Sequence, residues 1–193
     1  PMLFTARSAA VYGIDASIID VEVDFSKYVS EKDTFSTVGL PDAAVRESRD
    51  RVRAAIRNSG FDLPSTKITI NLAPADIKKE GSGFDLPMAV GILGAYGALE
   101  LRDLSDFLLI GELGLDGALR PVPGMLPVAV AARERGIKNL IIPKANAREA
   151  AVVEGVSVYP VTTLLEVRDL LNQAGNGGIH VPAFRVEPDQ VLN

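Results

Sequence analysis

The sequence predicts an α/β fold of the α+β kind, a mixed sheet layered with helices, and three observations carry that prediction. Residues 16–25 (ASIIDVEVDF) alternate strictly, with Ile19, Val21, Val23 and Phe25 on one side and Asp20, Glu22 and Asp24 on the other, as a half-buried strand does. Two segments, 42–59 and 85–99, have the start and stop signals of helices. From residue 139 onward short strand and helix patterns alternate, which is the arrangement of βαβ crossovers.

The elements follow in order. Leu3 to Tyr12 reads as a strand that bends at Gly13 and pairs antiparallel with 16–25, and Thr34 to Val38 as a short third strand. Pro41 and Asp42 open a helix that Gly60 closes. Lys67 to Leu72 (KITINL) is rich in β-branched residues, and the apolar helix 85–99 has Asp85 as its expected N-cap and Pro87 in its first turn. Phe107 to Val122 contains Asp116-Gly117 between apolar runs, a hairpin signal. A helix over 124–135, a strand over 139–142, a helix over 145–153, a strand over 156–159 and a helix over 163–172 complete the domain. The expected boundaries are a domain over 2–172 and a linker over 173–193, where GNGG and two prolines interrupt all periodicity. Pro1 reads as a cloning scar before Met2.

Composition narrows the function classes. A chain of 193 residues, 47% hydrophobic, has material for one core that buries roughly 70% of the unfolded surface. It has no Cys, which excludes disulfides and thiolate metal sites, and its one His, His180, lies in the tail, which excludes a multi-His metal centre. No metal site is expected. The longest apolar stretch, 88–99, falls short of the roughly 20 residues of a membrane span, so no membrane contact and a cytoplasmic location are the expectation. A net charge of −5 is the wrong sign for bulk attraction to phosphates, so any DNA contact requires a local basic patch.

Three features are candidates for chemistry. The loop Lys78-Lys79-Glu80-Gly81-Ser82-Gly83 precedes a helix, yet it spells neither a Walker motif nor GxGxxG, and a tight turn at a helix N-terminus explains it. Among the carboxylates, Asp85 and Glu112 stand apart from solvated faces, with structural roles as an N-cap and a hairpin contact. The helix 42–59 carries Arg46, Arg49, Arg53 and Arg57 on one stripe about 80° wide, beside an apolar stripe of Val45, Val52 and Ile56. Such a stripe suits phosphates or an acidic partner, with Lys78 and Lys79 as extensions. The plainer alternative is a solvated flank laced by the i,i+4 pairs Arg46–Asp50 and Glu47–Arg51.

Four blocks, VGLPDAAVRESRDRVRAAIRNSGF, INLAPADIKKEGSGFDLPMAVGIL, IGELGLDGALRPVPGMLPVAVAARERG and LIIPKANAREAAVVEGVSVYPVTTLLEV, resemble the N-terminal domain of the ComM/YifB magnesium-chelatase-like AAA+ proteins over about residues 2–171. The resemblance implies a Lon-peptidase-domain-like fold, within the superfold of the second domain of ribosomal protein S-five. It also implies a parent that continues into an AAA+ module holding ATP and Mg²⁺, forms a hexamer, and in its ComM branch drives DNA branch migration in natural transformation. For this fragment it implies no cofactor. Its partners are then its own ATPase domain, neighbouring subunits and possibly DNA. A Lon-type peptidase needs a Ser nucleophile and a Lys base. Matching the family's loops places Gly83 at the nucleophile position and Leu126 at the base position, with Ser82 one place early and no Lys in 124–136. The resulting expectation is a non-catalytic accessory domain that positions DNA or neighbouring subunits. A purely structural inter-subunit module is the alternative, and a Ser–Lys peptidase is disfavoured.

Overall fold

A computed structural model describes residues 3–29 and 31–186. Pro1, Met2 and the last part of the expected linker, 187–193, lie outside the described residues. The chain runs β1 (Leu3–Tyr12), β2 (Asp15–Phe25), β3 (Thr34–Val38), α1 (Ala43–Asn58), β4 (Lys67–Ala73), α2 (Asp85–Tyr96), β5 (Phe107–Leu109), β6 (Glu112–Leu113), β7 (Leu119–Arg120), α3 (Met125–Glu134), β8 (Asn139–Pro143), α4 (Ala147–Ala151), β9 (Ser157–Val161) and α5 (Leu164–Gly175). Seven strands form one sheet in the order β3-β4-β2-β1-β5-β8-β9, and β6 and β7 form a separate hairpin. β2 is antiparallel to β1 and β4, and the remaining pairs of the main sheet are parallel. Antiparallel pairing on both sides of β2 and parallel crossovers from β5 to β9 match the predicted class.

The alternation in β2 fixes which face of the sheet is which. Ile19, Val21, Val23 and Phe25 are at most 1% exposed and join a core with α1, α2 and α5. On the other face α3 and α4 cover Ala9, Leu108, Ile110, Leu140, Ile142 and Val158. Over the outer half of that second face, where Glu22 and Asp24 of β2 stand, no helix among the described residues lies on the sheet. Antiparallel sheets tolerate such one-sided solvation.

α2 is apolar all round because it is buried all round, with ten of its twelve residues inaccessible. Small residues let it lie close to the strands: a Cβ built on Gly91 would stand 2.5 Å from Val23 Cγ2, and one on Gly94 2.5 Å from the Phe4 ring. The helix ends at Tyr96, earlier than the expected Leu99, because Gly97 turns left-handed at φ 93°.

Two other boundaries differ from expectation. The predicted helix 145–153 is a 3-10 turn, Lys144–Asn146, followed by the single-turn α4. α5, capped by Thr163 through the Glu166 amide, runs on to Gly175, so it enters the expected linker. The chain then returns to the sheet, where the Phe184 amide donates to the Val158 carbonyl at 2.7 Å and the Phe184 side chain packs against the second core. His180 is exposed and only its amide is engaged, by Gln173 Oε1. No helix among the described residues is long and apolar enough to cross a membrane.

Alanine at Gly91 or Gly94 forces overpacking against Val23 or Phe4, and a loss of about 1–3 kcal/mol is expected for each. The measurement is the urea midpoint of unfolding.

Candidate functional site at the first helix

α1 begins where its sequence says. Asp42 is the N-cap, and its Oδ1 accepts from the Val45 amide at 2.8 Å. Val45, Val52 and Ile56 are buried, as the apolar stripe predicts. The basic stripe is only partly free. Arg46, Arg49 and Arg57 are exposed, and Arg46 Nη2 donates to the Pro41 carbonyl at 3.0 Å. Arg53 is taken by Asp33 and lies over the Phe35 ring, 5.5 Å from its centroid. Among the described residues Arg49 and Arg57 have no carboxylate partner.

The i,i+4 pairs expected along α1 do not form. Arg51 turns into the protein, where Nε donates to Asp85 Oδ2 at 2.8 Å and Nη2 to Oδ1 at 3.1 Å, with weaker contacts at 3.3 Å to Ser48 Oγ and the Ala44 carbonyl. Asp85 is therefore not the N-cap of α2. Phe84 occupies that position without a side-chain bond, and Asp85 is the first helical residue, fully inaccessible. Its Oδ2 also accepts the Leu113 amide at 3.0 Å. Burial pushes the Asp85 carboxyl above the usual carboxylate range, while Arg51, Ser48 and the Leu113 N–H pull it back. The hydrogen bond to Asp85 in turn raises Arg51. This bidentate pair ties α1 to α2 and to the β6–β7 hairpin. Glu112 keeps its expected role in that hairpin, 3.9 Å from Arg120 and directly opposite it.

The two lysines proposed as extensions part company. Lys78 is exposed and shared with Glu80 at 3.6 Å. Lys79 is not part of any basic surface: it is 0% exposed, and its ammonium donates to the Pro74 carbonyl. Burial lowers its pKa from the usual lysine range, partly offset by Asp76. The reason is local folding. The Lys79 amide donates to the Leu40 carbonyl at 3.0 Å and the Asp42 amide to the Lys79 carbonyl at 2.9 Å, so the segment 78–80 lies against the turn that leads into α1. In that turn Gly39, at φ 107°, has no room for a Cβ, which would stand 2.2 Å from the Leu72 carbonyl oxygen. Leu40 follows at φ 58° and is 53% exposed.

At the two positions that a Lon-type dyad would occupy, the surroundings are unlike a nucleophile's. A Cβ on Gly83 would meet Ile110 Cγ1 at 3.1 Å and Val122 Cγ1 at 3.5 Å, both aliphatic. Leu126 lies in the first turn of α3, 42% exposed, and its amide is capped by Glu149 Oε1 at 2.9 Å. Among the described residues the Ser82 hydroxyl has no hydrogen bond to a base, and no group of three or more His, Asp or Glu side chains is placed to hold a metal.

These features meet known proteins at one place. Residues 21–146 match the family model described as subunit ChlI of Mg-chelatase, so the chain belongs to the magnesium-chelatase-like family. Within it the chain falls with ComM and YifB. It is 44% identical to the competence protein ComM of Haemophilus influenzae over 165 residues, 86% of this chain and 32% of that protein. It is 45% identical to YifB of Escherichia coli over 153 residues, 79% of this chain and 29% of that one. Lon protease 2 of Bacillus subtilis matches at 25% identity over 185 residues, 88% of this chain and 33% of that protein, in keeping with a Lon-like domain fold. The chain thus spans about a third of the length of these curated relatives.

Asp85→Ala and Arg51→Met are each expected to lose about 3–5 kcal/mol, because each leaves the other group without its charged partner. In a double-mutant cycle read by urea unfolding, the double variant should lose less than the sum. Lys79 gives a pH signature. The folded state holds its proton less tightly than the unfolded chain, so between the folded and unfolded pKa the unfolded chain binds more protons and stability from this site rises with pH. The stability of the native protein relative to Lys79→Met should therefore increase as the pH rises from below toward the ordinary lysine range near about 10.

Proposed function

We propose that this domain is a non-catalytic accessory module that positions neighbouring subunits around the ring of a ComM-like AAA+ ATPase. The motor, with its ATP and Mg²⁺, belongs on this reading to another part of the parent protein, and DNA branch migration to the parent as a whole. The observation that carries the proposal is the outer flank of α1, where Arg46, Arg49 and Arg57 are exposed on a chain of net charge −5. Three unneutralised cations on a rigid helix favour an acidic partner surface.

A reading in which the same flank holds DNA keeps some support from those three arginines. It is weaker than the stripe of four with two lysines suggested, since Arg53 is paired, Lys78 is shared and Lys79 is buried. A footprint of three phosphate contacts supports only shallow salt dependence and weak binding. Ser–Lys hydrolysis has the least support, since Gly83 offers no nucleophile and Leu126 no base.

In the full-length protein, Arg46→Glu, Arg49→Glu and Arg57→Glu together should weaken ring assembly in sedimentation velocity; assembly equal to the native protein's removes the flank from this role. Fluorescence anisotropy against single-stranded and branched DNA at low salt separates the DNA reading, which requires binding that the triple variant loses. A fluorophosphonate probe is expected to leave Ser82 unlabelled, and stoichiometric labelling overturns the non-catalytic assignment.

A further inference from the structure

We infer that the partner of the arginine flank is a second copy of this chain, docked on the second face of its sheet, where β2 presents Asp20 at the edge of α3 and Asp24 on the bare half beyond it. This names the surface left open by the reading of the domain as an inter-subunit module, and it rests on that reading.

Three observations support the pairing. The two surfaces are opposite in charge and on different sides of the molecule. Arg46, Arg49 and Arg57 lie on the outside of α1, which packs on the face formed by Ile19, Val21 and Val23, and Asp20, Glu22 and Asp24 alternate with those residues onto the other face. The spacings also agree. Arg49 and Arg57 are separated by eight helical residues, a rise of about 12 Å, and Asp20 and Asp24 by four strand residues, about 13 Å. Finally, the central group on each side is occupied within its own chain: Arg53 by Asp33, and Glu22 by the Asn71 amide at 2.7 Å. Asp24 is exposed with no partner among the described residues, and Asp20 has a loose contact with Arg7 at 3.6 Å through an inaccessible Oδ1, which leaves its Oδ2 to face outward. The outer pairs are left to meet.

Because the complementary surfaces are different patches, the contact is heterologous. Each copy offers one surface and keeps the other free, so copies add head to tail, and such a chain closes into a ring if the rotation permits. A groove of about 620 Å³ runs beside Asp20, between the strand ends and α3, with Ile18, Ile77 and Ala131 in its walls and the charged Glu134 and Arg135 along its α3 side.

The test is a charge swap on the 193-residue chain, read by sedimentation velocity over a concentration series at about 50 mM and about 500 mM NaCl. The native chain should self-associate at low salt and dissociate at high salt. Arg49→Glu with Arg57→Glu, and separately Asp20→Lys with Asp24→Lys, should each weaken association about tenfold or more. An equimolar mixture of the two reversed variants should associate again. If the second pair perturbs folding, as circular dichroism would reveal, Asp24→Lys alone carries the test with a partial loss. A native chain that stays monomeric at both salts, or reversed variants that associate like the native chain, overturns the contact. If the contact fails while the triple arginine variant still disturbs assembly of the full-length ring, the inter-subunit reading stands and only the partner surface is wrong. If the contact holds while assembly is untouched, the reading falls and the contact is a property of the domain alone.

Discussion

The carboxylate of Asp85 is the constraint on which the arrangement of this domain turns. It opens a helix that is buried on every side, so it has no water to solvate it, and a charge in that position is tolerable only with a partner at close range. Arg51 supplies that partner from α1, and the Leu113 amide adds a second donor from the hairpin. Three separate stretches of chain are thereby fixed to one point. The rotation of α1 about its own axis follows: with Arg51 turned inward against α2, the stripe bearing Arg46, Arg49, Arg53 and Arg57 is turned outward along the opposite flank. A buried pair contributes little net stability against an apolar replacement, but breaking it by removing one partner is costly.

Much of this was legible in the sequence, and the parts that were not share a cause. Strict alternation identified β2, and Pro41-Asp42 identified the start of α1, because both depend on neighbours a few residues away. Asp85 was misread because a helix-opening aspartate looks the same in sequence whether it caps the amides or reaches for a distant cation. A usable signal was present all the same: the helix that follows is apolar around its whole circumference, so a carboxylate at its start cannot be solvated. Arg51 was assigned to Glu47 by the same local logic, since only the fold brings residue 85 within reach. Lys79 was expected at the surface from its charge, and its burial depends on a backbone pairing with Leu40 and Asp42 that no short-range pattern encodes.

The Lon-like frame holds two very different surfaces. One face is sealed by α1, α2 and α5, and the other is sealed only where α3 and α4 lie across it. At the loop and helix matched to the nucleophile and base of a Lon-type peptidase, aliphatic side chains crowd Gly83 and a glutamate caps the turn at Leu126. In the proposed reading, what distinguishes this domain from its peptidase relatives is carried by the outside of α1.

The return of the chain to β9 after α5 has a mechanical consequence. Had the polypeptide been free from Gln173 onward, whatever is attached downstream would hang on a leash starting at the end of α5. Phe184 moves the effective tether point to the edge of the sheet and removes roughly ten residues of slack. A shorter leash would narrow the volume that any downstream segment explores and raise its local concentration at this edge of the domain. Loosening that one aromatic anchor would lengthen the leash without altering any surface the domain presents.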